Sequence, residues 1–389
     1  MTPKDILTNN AFCPVPWTGF YADVSGDVRN CICSRESIGN LKTQPIKEIL
    51  TGKKNTEIKT AILNKEKPYS CSYCYGLEEN KKSRDIVSSR VYYLRELKTV
   101  DLATYTKPDS FNLHHIDIRW SNTCNYACVY CGPVLSSKWA DELKIQVEQP
   151  SLERKKELKD FIFSNIAQLK NVYMAGGEPL LMKENEEFLN RLLLENPDVV
   201  LRVNTNLSKT NTRVLDLICK FKNVHWTVSA ESMAEQFEYM RYGGSWQDFL
   251  ENLDLVRQLS HHKLTFNMTW GVLNYLSLFD TIDYFINNGF HQNSFILTAL
   301  HGPGWLDARH LPKNVLQSLE ELLLLRIVDN PGFLLEDGYR NLLKHIQQPF
   351  EQNFNATMYK IKELDNRRKL DSSKIFTELY QLKENYHGN

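Results

Sequence analysis

Six short stretches of β-type alternation or apolar runs recur between residues 115 and 300, at about 115–120, 171–175, 199–205, 224–230, 263–270 and 294–300. Between them the apolar positions switch to helical spacing, as in 153–169, where Leu158, Phe161, Ile162 and Ile166 share one face. Six strand–helix units in series predict parallel strands with helices outside. Six is fewer than the eight of a closed barrel, so the expected fold is α/β, a partial (β/α)6 TIM-like barrel over 112–310. Upstream, two β-rich runs around Ser25-Gly26-Asp27 predict a hairpin within 12–33. Helices follow at 46–50, with Pro45 at the start, and at 55–64. Residues 76–111 are charged, with a helix expected over 85–98, and Thr106-Lys107-Pro108-Asp109-Ser110 marks a linker. After the barrel come charged helices, including 364–370 and 375–386, expected to pack on the barrel or close its open side. The organisation is a hairpin-and-helix module over 1–105, the barrel over 112–310, and a helical extension over 311–389.

Composition narrows this picture. The chain has 389 residues, 42% hydrophobic and 24% charged, with Lys+Arg and Asp+Glu both at 47. The zero net charge gives no sign of nucleic acid or an anionic membrane as partner. Residues 1–12 lack the basic-then-apolar pattern of a signal peptide, and no run of about 18 apolar residues predicts a membrane span. Eight of the nine cysteines precede residue 132. Without a secretion signal this points to a reducing, cytoplasmic setting, where clustered thiols bind metal rather than pair as disulfides. Cys219 stands apart on an amphipathic stretch and reads as a core residue.

The chemistry concentrates in Cys124-x3-Cys128-x2-Cys131, on a loop that begins where the strand at 115–120 ends. Three thiolates on one loop hold a metal centre from one side. A cubane iron–sulfur cluster wants four ligands, so three leave one iron open; zinc, with His114 or His115 as fourth ligand, is the other reading. A second set combines Cys13 and Cys31, brought together by the hairpin, with Cys71-x2-Cys74. Four thiolates suit a zinc ribbon as well as a cluster, and Cys33 is an unassigned extra, either a spare ligand in place of Cys31 or simply a buried thiol. The later strand ends carry Gly176-Gly177-Glu178-Pro179, Asn204 and Asn206, Ser229 and Glu231. Paired glycines let backbone approach a ligand closely, and Glu178 or main-chain carbonyls can accept from an ammonium group. Polar strand ends also serve simply to satisfy amides. Arg241 precedes the Gly243-Gly244 turn, Leu297 lies on the last strand, and His301 and Asp307 follow it, where a general acid or base would sit.

The loop Cys124-x3-Cys128-x2-Cys131, with the aromatic Tyr130 before its last cysteine, resembles the signature of the radical SAM superfamily. The resemblance implies a [4Fe–4S] cluster held by these cysteines, whose open iron chelates S-adenosylmethionine. Reductive cleavage then yields a 5′-deoxyadenosyl radical that takes hydrogen from substrate. It further implies that Gly176-Gly177-Glu178-Pro179 binds the SAM amino group and that Asn204, Asn206, Ser229 and Glu231 lie near the ribose and methionine. Arg241 would pair with the SAM carboxylate, Leu297 would pack on adenine, and an electron donor such as flavodoxin or ferredoxin is implied. Cys13-x12-Gly26-x4-Cys31, followed by Gly39-Asn40-Leu41 and Cys71-x2-Cys74, is similar to the SPASM/twitch module of the same enzymes. That implies one auxiliary iron–sulfur cluster, of [4Fe–4S] type, on Cys13, Cys31, Cys71 and Cys74, although here the module precedes the barrel. Relatives with this module mainly modify peptides or proteins. The expected function is therefore a peptide- or protein-modifying radical SAM enzyme; Trp270 and Trp305 are candidates to line a substrate cleft, each read first as a core residue. A small-molecule radical SAM dehydrogenase and a non-catalytic zinc-binding protein are the alternatives.

Overall fold

The computed structural model describes residues 8–79, 88–95, 97, 102–259 and 261–385. The six expected strands form, as β4 (His115–Ile118), β5 (Asn171–Met174), β6 (Val200–Thr205), β7 (Val224–Ser229), β8 (Lys263–Trp270) and β9 (Phe295–Ala299). They run parallel in chain order. Three strands precede them: β1 (Gly19–Ala22), β2 (Asp27–Arg29) and β3 (Gly39–Asn40). The hairpin is built at Asp23, whose Oδ1 accepts from the Ser25 and Asp27 amides, while Gly26 takes a left-handed φ of +85°.

The expected partial barrel with its N-terminal module and C-terminal helices forms, and module and barrel share one sheet. β1 pairs in parallel with β4, so the described strands make one sheet in the order β3-β2-β1-β4-β5-β6-β7-β8-β9. The module thus supplies a seventh parallel strand and covers what would be the open β4 edge. Cys13 is not on a hairpin strand either; it precedes the short helix Val15–Thr18, because Pro14 and Pro16 start a helical turn there.

Side chains alternate across the sheet. Phe266, Met268 and Trp270 of β8 are fully buried towards the helices, with Phe266 stacked on Phe285 at 4.2 Å and on Phe295 at 5.3 Å. The opposite face carries Tyr21, Asp117, Tyr173, Arg202 and His225, which follow one another in register across the strands, with Thr227 and Asn267 further along the same face. The inner face is therefore polar and the helix-facing side apolar, so the core sits between strands and helices. Helix Ser89–Arg95 falls within the expected 85–98; residues 80–87 lie outside the described residues, as do 1–7 of the stretch read for a leader. Helix Leu334–Ile346 of the C-terminal extension lies against β9, where a Cβ on Gly338 would come within 2.8 Å of Leu297. No helix among the described residues is long and apolar enough to cross a membrane.

Candidate active site at the strand ends

The cysteine loop after β4 is fixed by bonds from every side. The amides of Ala127 and Val129 donate to the carbonyls of Tyr242 and Met240, at 2.9 and 2.8 Å. Trp139 Nε1 donates to the Cys128 carbonyl at 2.7 Å, and Ser136 Oγ to that of Tyr126 at 2.6 Å. From the far end of the chain, Arg368 Nη2 donates to the Ala127 carbonyl at 2.8 Å. Its guanidinium stacks on Trp139 and Tyr242 and is paired with Glu142. Nothing in the local sequence around Arg368 signals this role, since it rests on a contact between residues 241 positions apart.

The glycines of the next strand end make close approach possible. A Cβ on Gly177 would sit 2.1 Å from the Thr123 carbonyl, and Gly176 has φ +116°. The Glu178 amide donates to that carbonyl at 2.7 Å, locking the turn onto the cysteine loop. The Glu178 carboxylate is fully buried and taken by three donors: Thr205 Oγ1 at 2.7 Å, the Asn206 amide at 2.7 Å and the Leu180 amide at 3.1 Å. Burial raises its pKa to about 7 against these bonds. Glu178 is thus a clamp between β5 and β6, with Pro179 opening the helical turn beyond it. It is not free for an ammonium group, which leaves the main-chain carbonyls of the turn. Thr205, at the end of β6, is the clamp's partner.

Arg241 is only 4% exposed and forms a buried pair with Glu231, at 2.7 Å. Glu231 also accepts from the Tyr130 hydroxyl at 2.7 Å, and Arg241 Nη1 lies 4.0 Å from Cys128 Sγ. The expectation of an arginine fork open to a carboxylate is therefore corrected: one arm is committed to Glu231, while Nε has no hydrogen-bond partner. Asn206 Nδ2 lies 3.8 Å from Cys124 Sγ. Asn204 and Ser229 face the inner side of the sheet, Asn204 with an unpartnered buried Oδ1. Burial pushes the Cys124 thiol up to about 12 and raises Cys128 and Cys131 as well, so metal binding must displace protons that burial holds on.

Four expected residues part from this site. Leu297 faces helix Leu334–Ile346 rather than the barrel interior; the strand's alternation puts Ile296 and Thr298 inside. Asp307 is saturated by Arg309 and by His345 Nε2 at 2.9 Å, so it is no free acid or base. Burial alone would raise its pKa, but these two partners pull it below the usual carboxylate range. His301 is exposed beside His345, with ring centroids 4.7 Å apart. Trp270 is fully buried, with Nε1 bonded to the Tyr275 carbonyl, and lines no cleft.

The second thiol set lies at the opposite end of the strands, because β2 runs antiparallel to β1 and delivers Cys31 beside the start of β1. Cys33 lies beside Cys31, which raises its pKa, and Cys74, which lowers it, and its Sγ is 3.4 Å from Ser89 Oγ. Cys13 is buried among Cys71, Cys74 and Arg90. Tyr75 OH donates to the Ala11 carbonyl at 2.6 Å, and Arg90 bridges Glu78 and the Phe12 carbonyl. Five thiols thus surround this place. A zinc ion with bonds of about 2.3 Å draws its sulfurs to about 3.8 Å from one another. Among the described residues, neither set brings three sulfurs within 4.8 Å of one another. His114 and His115 stand at the start of β4, away from the loop that follows its end, and do not complete a zinc site there. Both sets suit a wider, multi-iron group.

A partial barrel with an open-sided thiol loop at the C-terminal strand ends and a second thiol set below is the architecture of an iron–sulfur enzyme. Residues 118–285 match the model of the radical SAM superfamily, and residues 13–75 that of the SPASM iron–sulfur cluster-binding domain. The chain belongs to the radical SAM superfamily and carries its SPASM domain at the N-terminal side of the barrel. Its cofactors are the radical SAM [4Fe–4S] cluster with SAM and an auxiliary iron–sulfur cluster. Among curated proteins it is similar to GTP 3',8-cyclase of Helicobacter pylori (strain J99), 32% identical over 100 residues, 25% of this chain and 29% of that one. The enzyme of the same name from Sulfurimonas denitrificans is 28% identical over 124 residues, 30% and 36% of the two chains. The chain thus spans about a third of the length of these relatives. Among solved structures it is similar to native anSMEcpe with bound AdoMet, at 15% identity and TM-score 0.40 over 54% of this chain and 58% of that one. Streptococcus suis SuiB bound to precursor peptide SuiA gives 16% identity and TM-score 0.41 over 78% and 66%.

Proposed function

We propose that this radical SAM enzyme modifies a peptide or protein whose reacting side chain enters the barrel between the two thiol sites. One observation carries the reading: a cavity along the inner sheet face with about 780 Å³ of empty space, its open mouth included. Its walls come from both regions, Cys31 and Tyr93 from the N-terminal side and His115, Asn171, Tyr173 and Arg202 from the strands. When bound, the cluster and SAM supply one-electron cleavage and hydrogen abstraction. The chain's own residues bind, orient and exclude water. Carbonyls of the Gly176–Gly177 turn accept the SAM ammonium, Asn204 and Ser229 offer polar groups to the nucleoside, and Arg241 sets positive charge against Cys128. On the auxiliary side the ligands are Cys13, Cys33, Cys71 and Cys74, with Cys31 on the cavity wall. A flavodoxin or ferredoxin supplies the electron, and His301 is the one exposed imidazole at the β9 mouth.

The match to GTP 3',8-cyclases favours a second reading, a small-molecule substrate in the same cavity. The test is an anaerobic assay with reconstituted enzyme, SAM and candidate peptides from the native host. 5′-Deoxyadenosine should form slowly alone and faster with the cognate peptide, whose mass should fall by loss of hydrogen or whose α-carbon should exchange hydrogen. If nucleotides or other metabolites stimulate turnover and no peptide or protein is modified, the second reading replaces the first.

A further inference from the structure

Among the described residues, Arg202 stands on the cavity wall as a cation without an ion-pair partner. It projects from β6 on the inner face: Leu201 and Val203 on either side are fully buried towards the helices, and its register partners are Tyr173 and His225. Its Nε is buried without a hydrogen-bond partner, and among the described residues its guanidinium makes no ion pair. The group is nevertheless held in place, stacked on the Tyr92 ring at 4.2 Å, and the Tyr92 hydroxyl is anchored on Asn171 at 3.2 Å.

Among the described residues, its neighbours on this wall carry no free negative charge. Burial, with the nearby His114, Lys170 and Arg202, lowers the His115 pKa to about 3, and burial with Arg202 lowers His225 to about 4, so both rings are neutral. Tyr93, tilted against His115 with ring centroids 4.4 Å apart, is kept protonated by burial. The Asp117 carboxylate is two strands away, about 10 Å by strand spacing, and already pairs with Arg119 at 3.3 Å. A part-buried charge without a partner is costly, and a fork of free N–H groups is shaped for an oxyanion.

We propose that Arg202 anchors a carboxylate of the substrate, such as a glutamate or aspartate side chain of the peptide. Arg119, Asp117 and Arg202 together leave one net positive charge on this wall, which matches a monoanion and not a polyphosphate. Four residues further along the chain, about 13 Å away and just past the end of β6, Asn206 Nδ2 lies 3.8 Å from Cys124 Sγ, so a substrate anchored at Arg202 reaches up towards the reacting centre. The assignment rests on the cavity being the substrate site, but its test needs no turnover.

The experiment uses the full chain with both clusters reconstituted anaerobically and SAM added. Binding of N-acetyl-glutamate methylamide, N-acetyl-glutamine methylamide and inorganic phosphate is measured by calorimetry. The glutamate probe should bind to the wild type and the glutamine probe should not. Arg202→Gln should weaken the glutamate probe about tenfold or more, the loss expected for one charged hydrogen-bonded contact. Arg202→Lys, which keeps the charge, should retain the preference for glutamate over glutamine; iron content and thermal melting check that both variants are assembled. The proposal is overturned if the wild type takes neither probe, or both equally, or phosphate alone. It is also overturned if Arg202→Gln shifts the auxiliary cluster's reduction potential while leaving probe affinity unchanged, because Arg202 would then serve the cluster. Failure of every peptide in turnover assays, with probe binding intact, would sink the peptide reading and spare this one.

Discussion

The two thiol sites are built in opposite ways. Cys124, Cys128 and Cys131 share an eight-residue loop whose backbone is tied to segment 240–242, to Trp139 and to Arg368. The N-terminal set draws Cys13, Cys31, Cys33, Cys71 and Cys74 from three separate segments and offers five thiols where a cubane cluster takes four. In the first site the spacing along the chain decides which sulfurs are ligands, and distant residues only stiffen the loop. In the second, chain spacing leaves Cys31 and Cys33 equivalent; folding sets Cys33 beside Cys31, Cys74 and Ser89 and puts Cys31 on the cavity wall.

The largest expected effect tests whether the sites are independent. Wild-type protein reconstituted anaerobically should hold about eight irons, and replacing Cys124, Cys128 and Cys131 together by Ala should leave about four and abolish SAM cleavage. Stoichiometric zinc without labile sulfide in anaerobically purified protein would contradict both site readings. Next, Cys33→Ala should remove most of the auxiliary iron, while Cys31→Ala should keep it; both should still cleave SAM. Iron and sulfide analysis reads this directly, and the reverse order of losses would return Cys31 to the ligand set.

A smaller effect probes the charge beside the catalytic loop. Arg241→Ala leaves Glu231 buried and unpaired, so stability should fall by about 3–5 kcal/mol, and Glu231→Gln in the same chain should recover part of it. Chemical denaturation of the apo-protein measures both, and additive losses would show that the pair is not coupled. The smallest effect concerns the stiffening from outside. Arg368→Ala removes a charged hydrogen bond and two ring contacts, so it should cost about 2 kcal/mol and weaken SAM binding while the cluster still loads. Unchanged stability and SAM affinity would mean that the loop holds its shape without the C-terminal helices.

The chain's own order specified a good deal. Alternation and helical spacing placed all six barrel strands within a residue or two, because period-2 and period-3.6 patterns are local properties. The Cys-x3-Cys-x2-Cys loop and the Gly176-Gly177 turn were readable for the same reason: a short loop and a missing Cβ act where they stand. What only the tertiary structure decided involves partners far apart in sequence. β1 joined β4, turning a separate module into part of the barrel sheet, since a strand's hydrogen-bonding edge accepts any neighbour whose register buries its apolar face. Glu178 and Arg241, read as ligand-binding groups, were taken up by Thr205, Asn206 and Glu231, because a buried charge binds whichever partners folding brings. Leu297 turned outward by strand parity against a helix some forty residues later, and Arg368 reached the catalytic loop from outside both matched domains. Arg202 was invisible in the sequence, since an arginine's lack of a partner is a property of everything packed around it.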